Sequence, residues 1–241
     1  MTAAPETSIV VPTYREAQSL PALLDRLAKL RETELPGLEL LIVDDDSNDG
    51  TVELVEQRAA PWVQLVVRKQ DRGLSQSVLE GLTRARGRNL VVMDADSSHP
   101  PEVIPEMLAA IARGADFVVG SRYANGGTTA DDWGFLRALN SRVATLLARP
   151  LTNIKDPMSG FFALPQSVFR RAQNPSPLGY KIGLELLVRC RCEHVVEVPI
   201  HFANRLHGES KLTLGQQLLY LQHLTRLYRF KYGRFKYGRF G

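Results

Sequence analysis

The stretch Leu41-Ile42-Val43-Asp44-Asp45-Asp46-Ser47-Asn48-Asp49-Gly50-Thr51 sets the pattern for the chain: an apolar run breaks into acids and turn formers, and a helical pattern follows from Val52. A near-continuous run of Leu, Ile and Val predicts a strand buried on both faces, which is how parallel sheets covered by helices read. Asp, Ser and Asn after it are turn and N-cap residues, so some of these acids are structural. Three consecutive carboxylates also repel one another, and that crowding makes sense if one of them accepts hydrogen bonds from a base or ribose.

Outward from this stretch the alternation repeats. Ser8 to Pro12, Leu38 to Asp44, Val63 to Val67, Asn89 to Asp94 and Ala115 to Val119 read as strands, and Leu20 to Leu30 and Val52 to Arg58 as amphipathic helices. The expected fold is α/β, one doubly wound sheet with helices on both faces, with ligands gathering at the carboxyl ends of the strands. Ser121 to Asp132 reads as a loop, a helical pattern resumes near Phe135 to Leu147, and Asn153 to Gly160 reads as a second loop. Leu214, Leu218, Leu221, Leu224 and Tyr228 recur at helical spacing and predict an amphipathic C-terminal helix. Behind it, Lys231-Tyr232-Gly233-Arg234-Phe235 repeats as Lys236-Tyr237-Gly238-Arg239-Phe240.

At 241 residues, 44% hydrophobic and 23% charged, the chain has material for a full core, which excludes collagenous, mucin-like and wholly disordered classes. Two cysteines one residue apart, Cys190 and Cys192, suit neither a disulfide framework nor a structural zinc site, and a reducing, cytosolic setting is expected. Met1 to Glu6 has neither a basic nor an apolar leader region, so export is not expected. Leu212 to Thr225 is too short and too polar for a membrane span. The net charge of +4 is unevenly placed: Lys211, Arg226, Arg229, Lys231, Arg234, Lys236 and Arg239 lie beyond Ser210, where none of the 26 acidic residues does. Such a segment, interleaved with Tyr and Phe, would attract nucleic acid as well as an anionic bilayer; the membrane surface is the expected partner and nucleic acid is not.

Asp94-Ala95-Asp96, at a strand end, puts two carboxylates at i and i+2 on one side of an extended segment, where both can face one hard cation. Alone, the motif also reads as a helix cap beside a solvated acid.

Taken together, Pro12-Thr13-Tyr14-Arg15-Glu16 after the first strand, the acidic run Asp44 to Thr51 after the second and Asp94-Ala95-Asp96 after the fourth resemble the nucleotide-sugar-dependent glycosyltransferases of family 2. Pro100-Pro101, Gly120-Ser121-Arg122-Tyr123, Asp156-Pro157-Met158-Ser159-Gly160-Phe161-Phe162 and Gly179-Tyr180-Lys181-Ile182 resemble its polyprenol-phosphate (dolichol-phosphate) mannose synthase branch, over about Ser8 to Lys211. The resemblance implies a GT-A-type catalytic domain over 1–211, the amphipathic helix over 212–230 and a basic aromatic tail over 231–241. It implies nucleotide binding by Pro12, Tyr14, Glu16, Ala95 and Asp44 or Asp45, and Mg²⁺ or Mn²⁺ held by Asp94 and Asp96. The family's third metal ligand is commonly Gln where Ser98 stands, so a water or a looser shell is implied there. Arg122, Arg137, Ser141, Arg205 and Lys211 match positions that bind the phosphates of donor and acceptor, and Arg122, Asp94 and Asp96 are implied to be catalytic.

The implied substrates are GDP-mannose and a polyprenyl monophosphate. A lipid phosphate carries about −1.5 to −2 charge near neutral pH and attacks without a general base, so one in-line displacement inverts the anomeric centre. His99 is then expected to orient the metal loop rather than transfer a proton. The implied location is the cytoplasmic face of a membrane, reached through the helix and tail or through a separate membrane-anchor subunit. The alternatives are a UDP-sugar-dependent glucosyl- or N-acetylhexosaminyltransferase on the same scaffold, an inactive lipid-binding homologue and, from Leu41 to Asp46 alone, a phospho-receiver signalling domain.

Overall fold

A computed structural model describes residues 4–58, 60–129, 135–173, 175–176, 178–203 and 214–233, with side chains of the helix at 135–148 described from Arg142 onward. The first half alternates as the hydrophobic pattern requires: β1 (Thr7–Thr13), α1 (Leu20–Thr33), β2 (Leu38–Asp44), α2 (Thr51–Gln57), β3 (Val63–Val67), α3 (Leu74–Arg84), β4 (Asn89–Val92), α4 (Ile104–Ala112) and β5 (Phe117–Ser121). Then come β6 (Thr128–Thr129), α5 (Phe135–Ala148), β7 (Phe162–Pro165), α6 (Gln166–Phe169), α7 (Ile182–Arg189), β8 (Val195–Pro199), β9 (His201–Phe202) and α8 (Leu214–Tyr232).

Seven strands form one sheet in the order β3-β2-β1-β4-β7-β5-β8, and β6 pairs separately with β9. Every pairing in the large sheet is parallel except those of β7, which runs antiparallel between β4 and β5. The strands of the middle are apolar on both faces, and alternation divides them between two cores. Ile9, Val11, Leu40 and Ile42 pack with Leu23, Leu27 and Met107 of α1 and α4. Val10, Leu41 and Val43 pack with Val78 and Leu82 of α3 and, further along, with Leu184 of α7 and Leu224 and Leu227 of α8. Gly81 is what lets α3 lie against β1: a Cβ there would stand 2.4 Å from Val10 Cγ1.

The structure departs from the sequence reading in several places. β4 ends at Val92 rather than Asp94, because the Asp94 amide leaves the ladder and donates to His99 Nδ1 at 3.0 Å. The expected loop from Ser121 contains β6, whose pairing partner is β9, about 70 residues further along the chain. β7, not expected as a strand, fills the gap between β4 and β5. On α8 the buried face is His223, Leu224 and Leu227, with Tyr220, Tyr228 and Phe230 partly buried, while Leu218 and Leu221 of the predicted stripe are 62% and 46% exposed. α8 rests on α7 and α5 through that rotated face, which turns Leu221 toward the cavity described below. The helix extends through Tyr232, two residues into the expected tail, and 234–241 fall outside the described residues.

Candidate active site

The carboxyl ends of β1, β2, β4 and β5 open on one rim, and a cavity of about 950 Å³ lies over it. One wall is polar, built by Pro12, Tyr14, Glu16, Asp45, Asp94 and Asp96. The other is largely apolar, built by Val143 and Leu147 of α5, Tyr220 and Leu221 of α8, and Leu178 and Tyr180 ahead of α7. Arg122 and Lys181 also line it, so cations stand in the same cavity as the carboxylates.

The two acids at the end of β2 have separate places. Asp44 is fully buried and accepts from Thr13 Oγ1 at 2.8 Å, Ser47 N at 2.7 Å and Ser47 Oγ at 2.8 Å, which fastens the ends of β1 and β2 below the cavity. Asp45 reaches the cavity wall, where Oδ1 accepts from Arg68 Nη1 and Ser77 Oγ, each at 2.7 Å, and Oδ2 from Gly73 N at 2.7 Å. Next in line, Asp46 pairs with Arg72, whose side chain is on the rim. In the loop after β1, Glu16 accepts from Ser19 Oγ at 2.5 Å, and Tyr14, 41% exposed, lies under the Arg15 guanidinium.

Asp94, Ala95 and Asp96 all face the cavity. Asp96 is held by Ser98, whose amide and hydroxyl donate to its Oδ1 at 3.1 and 2.5 Å. Ser98 is fully buried and stands behind Asp96 rather than on the cavity wall. His99, also buried, stacks on Phe161 at 5.1 Å, and its Nδ1 accepts the Asp94 amide, so the ring fixes the backbone under the acid pair. Opposite, Gly160 leaves room: a Cβ there would meet Asp94 Oδ1 at 3.5 Å.

Among the described residues no cluster of three or more His, Cys, Asp or Glu side chains is placed to hold a metal. Two carboxylates from one strand end do fit a hard divalent cation that takes the rest of its shell from a diphosphate and water, as Mg²⁺ characteristically does.

Arg122 is gripped from one side. Its Nε and Nη2 donate to Asp156 Oδ2 and Oδ1, both at 2.7 Å, and its amide donates to Oδ2 at 3.1 Å. Asp156 is fully buried, and its own amide donates to Glu197. The guanidinium also lies 5.2 Å from the Phe202 ring centroid. Burial alone would lower the Arg122 pKa; the hydrogen bond and charge of Asp156 more than offset it and raise it above the usual arginine value. Lys181 Nζ donates to Met158 O at 3.2 Å and sits over the Tyr180 ring at 4.4 Å.

The structure therefore brings Pro12, Tyr14, Glu16, Asp45, Asp94, Ala95, Asp96 and Arg122 together around one cavity. Asp44 and Ser98 lie behind them. Arg137 and Ser141 belong to α5 with side chains outside the described set, and Arg205 and Lys211 lie outside the described residues. Asp156 and Lys181 were visible in the sequence only as parts of motifs, without a role. The pairing of Asp156 with Arg122, 34 residues apart, leaves no mark in local spacing.

The Glycosyl transferase family 2 pattern matches residues 8–172. The chain is 42% identical over 238 residues to a dolichol-phosphate mannosyltransferase of Mycosarcoma maydis, covering 95% of this chain and 81% of the relative. It is 40% identical over 233 residues to a dolichol-phosphate mannosyltransferase of Pyrococcus furiosus, covering 94% of this chain but only 64% of that longer relative. In fold it is similar to the glucosyl-3-phosphoglycerate synthase of Mycobacterium tuberculosis, solved in complex with Mn²⁺, uridine diphosphate and phosphoglyceric acid. That likeness has a TM-score of 0.67 at 19% identity and covers 94% of this chain and 78% of the other. A family pattern matched over most of the chain and a relative 42% identical along 81% of its own length, over a sheet whose acidic strand ends share one cavity, assign the chain: it belongs to glycosyl transferase family 2.

Proposed function

We propose that this chain transfers mannose from GDP-mannose to a polyprenyl (dolichyl-type) monophosphate, releasing GDP and giving the β-mannosyl phosphate lipid. The observation that carries the reading is a single cavity with an acidic strand-end wall, an apolar helical wall and cations in the same space. A sugar diphosphate and a lipid phosphate need that combination. The identity to dolichol-phosphate mannosyltransferases across 95% of the chain supports the choice of sugar and acceptor.

Pro12, Tyr14, Glu16, Asp45 and Ala95 bind the nucleotide in this reading, with Asp44 stiffening the strand ends beneath them. Asp94 and Asp96 would hold Mg²⁺ or Mn²⁺, and the M. tuberculosis synthase of the same fold was solved with Mn²⁺ bound. The cation, when bound, neutralises charge on the departing diphosphate. Ser98 keeps Asp96 oriented through its amide and hydroxyl. Arg122, with Arg137, Ser141, Arg205 and Lys211, binds phosphate groups, and Asp156 keeps the Arg122 fork turned in one direction. The acceptor phosphate is already anionic, so no side chain has to remove a proton. Its oxygen forms the new bond to the anomeric carbon on the face opposite the diphosphate, the bond to the diphosphate oxygen breaks, and configuration inverts.

No helix among the described residues is long and apolar enough to cross a membrane. The exposed Leu218 of α8 with the basic aromatic segment after it, or else a separate anchoring subunit, is the means by which the enzyme meets its lipid, peripherally and on the cytoplasmic face. The test is transfer of labelled sugar into organic extract, with GDP-mannose, UDP-glucose and UDP-N-acetylglucosamine offered in parallel with polyprenyl phosphate and Mg²⁺ or Mn²⁺. Mannose transfer alone is expected; transfer from a uridine donor overturns the sugar, and no transfer from any donor overturns the activity.

A further inference from the structure

Glu185 of α7 and His223 of α8 are both fully buried, an arrangement that is costly unless every charge and hydrogen-bonding atom is matched. Glu185 is well matched. Its Oε1 accepts from Arg189 Nε at 2.6 Å and from Ser176 N at 2.9 Å, and its Oε2 faces His223 Nε2 at 2.7 Å. His223 Nδ1 is buried with no partner, so the network assigns the ring proton to Nε2, where it is donated to the carboxylate. One carboxylate thus ties together the segment before Leu178, the helix α7 and the helix α8.

Two of those pieces line the cavity. Leu178, Gly179, Tyr180 and Lys181 stand on one side of the tie; Gln216, Gln217, Tyr220 and Leu221 of α8 stand on the other. The polar wall with Asp94 and Asp96 comes from other elements, on the carboxyl ends of the sheet. Apolar packing by Leu224 and Leu227 favours burial without selecting one height for α8 along its axis; hydrogen bonds do, from Tyr220 and Tyr228 to the Ala144 and Leu147 carbonyls of α5 and from His223 to Glu185, and it is the last that ties α8 to α7 and the segment ahead of it. A slip of one helical turn, about 5.4 Å, would carry Tyr220 and Leu221 out of the apolar wall. A buried ion or hydrogen-bonded pair gives little net stability over an apolar isostere, and register is its best-attested contribution.

We infer that the Glu185–His223 pair positions the acceptor half of the cavity: it sets α8 against the Leu178–Lys181 segment, and so sets recognition of the lipid phosphate while leaving the nucleotide half alone. This rests on the reading under Proposed function. Neither residue touches substrate; both are positioning residues.

The test is steady-state transfer by the full chain, with farnesyl phosphate as acceptor and GDP-mannose as donor. His223→Leu removes the donor to Glu185 Oε2 while Arg189 and Ser176 keep Oε1, and is expected to raise the KM for farnesyl phosphate about tenfold while the KM for GDP-mannose stays within about twofold. His223→Gln, whose amide reaches the place of Nε2, is expected to restore the acceptor KM to within about threefold of the parent. Should His223→Leu fail to fold, His223→Asn replaces it, since its amide ends short of Glu185. An unchanged acceptor KM, two KM values rising together, or no rescue by Gln overturns the inference. If the parent chain transfers no mannose, the proposed activity fails separately, and calorimetric binding of farnesyl phosphate and of GDP decides this inference. Weaker farnesyl phosphate binding by the variant with equal GDP binding supports it, and equal binding of both, or no farnesyl phosphate binding by the parent chain, overturns it.

Discussion

Arg122 and Asp156 meet edge to edge, Nε to Oδ2 and Nη2 to Oδ1 at 2.7 Å each, in a pair where the arginine side chain is 9% exposed and the carboxylate not at all. The geometry turns a long, rotatable side chain into a fixed fork. Asp156→Asn keeps the shape but loses the charge and one acceptor. It should lower kcat/KM by about tenfold to a hundredfold with a smaller loss of GDP affinity, as loss of an orienting partner does at other sites. Parallel kinetics and GDP titration check this. Asp156→Ala should also destabilise the fold by about 3 kcal/mol or more, because it leaves a buried guanidinium without its counter-ion.

Ser98 gives a second prediction. Its amide and hydroxyl both serve Asp96 Oδ1, so Ser98→Ala should weaken Mn²⁺-dependent GDP binding by about tenfold through a less ordered carboxylate. Asp96→Ala should abolish that metal dependence. Calorimetry of GDP binding with and without Mn²⁺ separates the two, and a Ser98→Ala variant with parental Mn²⁺ dependence would remove Ser98 from the site's support.

A third concerns pH. Burial would raise the Glu185 carboxyl, but the hydrogen bonds from His223 and Ser176 and the charge of Arg189 hold it below its usual value. In the unfolded chain the group takes up its proton first, near the ordinary glutamate value of about 4.3. Its contribution is therefore complete above that pH and is lost as the pH falls through the lower folded-state value. Thermal unfolding followed from pH 7 down to pH 3 should show the parent losing stability on the acid side more steeply than Glu185→Gln.

Packing supplies the fourth. With a methyl at Gly81 overlapping Val10 Cγ1 at 2.4 Å and Val43 Cγ2 at 3.0 Å, Gly81→Ala should cost about 1–3 kcal/mol by forcing α3 off the sheet. Chemical denaturation should show a lowered midpoint with an unchanged slope.

The last concerns the chain after α8. Lys231 Nζ donates to Pro150 O and Leu151 O, and Tyr232 Oη to Pro150 O, so these residues fasten α8 to the end of α5 and belong to the fold. A truncation aimed at membrane binding has to begin at Arg234. Removing 234–241 takes away Arg234, Lys236 and Arg239 and should weaken binding to anionic vesicles at low salt by on the order of a hundredfold, at about 1 kcal/mol per cation. Nucleotide binding should not change. Equal vesicle binding by the truncated chain would assign the membrane contact elsewhere.

The alternation of strands and helices up to β5 was legible because buried parallel strands are written as apolar runs with turn formers behind them, as at Leu41 to Gly50. The acid pair Asp94 and Asp96 was legible for the same reason, since a strand end is a local feature. What the sequence concealed depends on distant partners. β7 is short and becomes a strand only because β4 and β5 leave a slot for it. Asp44 and Asp45, adjacent and alike, differ in that one faces Thr13 and Ser47 below the cavity and the other Arg68 and Ser77 at its wall. On α8 the leucine spacing placed Leu224 and Tyr228 on the packed face but also Leu218 and Leu221, which are exposed, and it gave no sign that His223, fully buried, answers Glu185.

The insertion of β7 also orders the events of folding. β4 leads into the acid pair and β5 into Arg122, yet the strand between them is made of residues 162–165. A nascent chain that has released β1 to β5 can zip the parallel strands β3-β2-β1-β4, but β5 has no neighbour to join until that later segment emerges and runs back between them. Long-range strand insertion is a slow step, and until it happens an apolar edge stands open. The carboxylates and the arginine thus come within reach of one substrate only after about two thirds of the polypeptide has left the ribosome, so a truncated translation product has half a site and an adhesive edge.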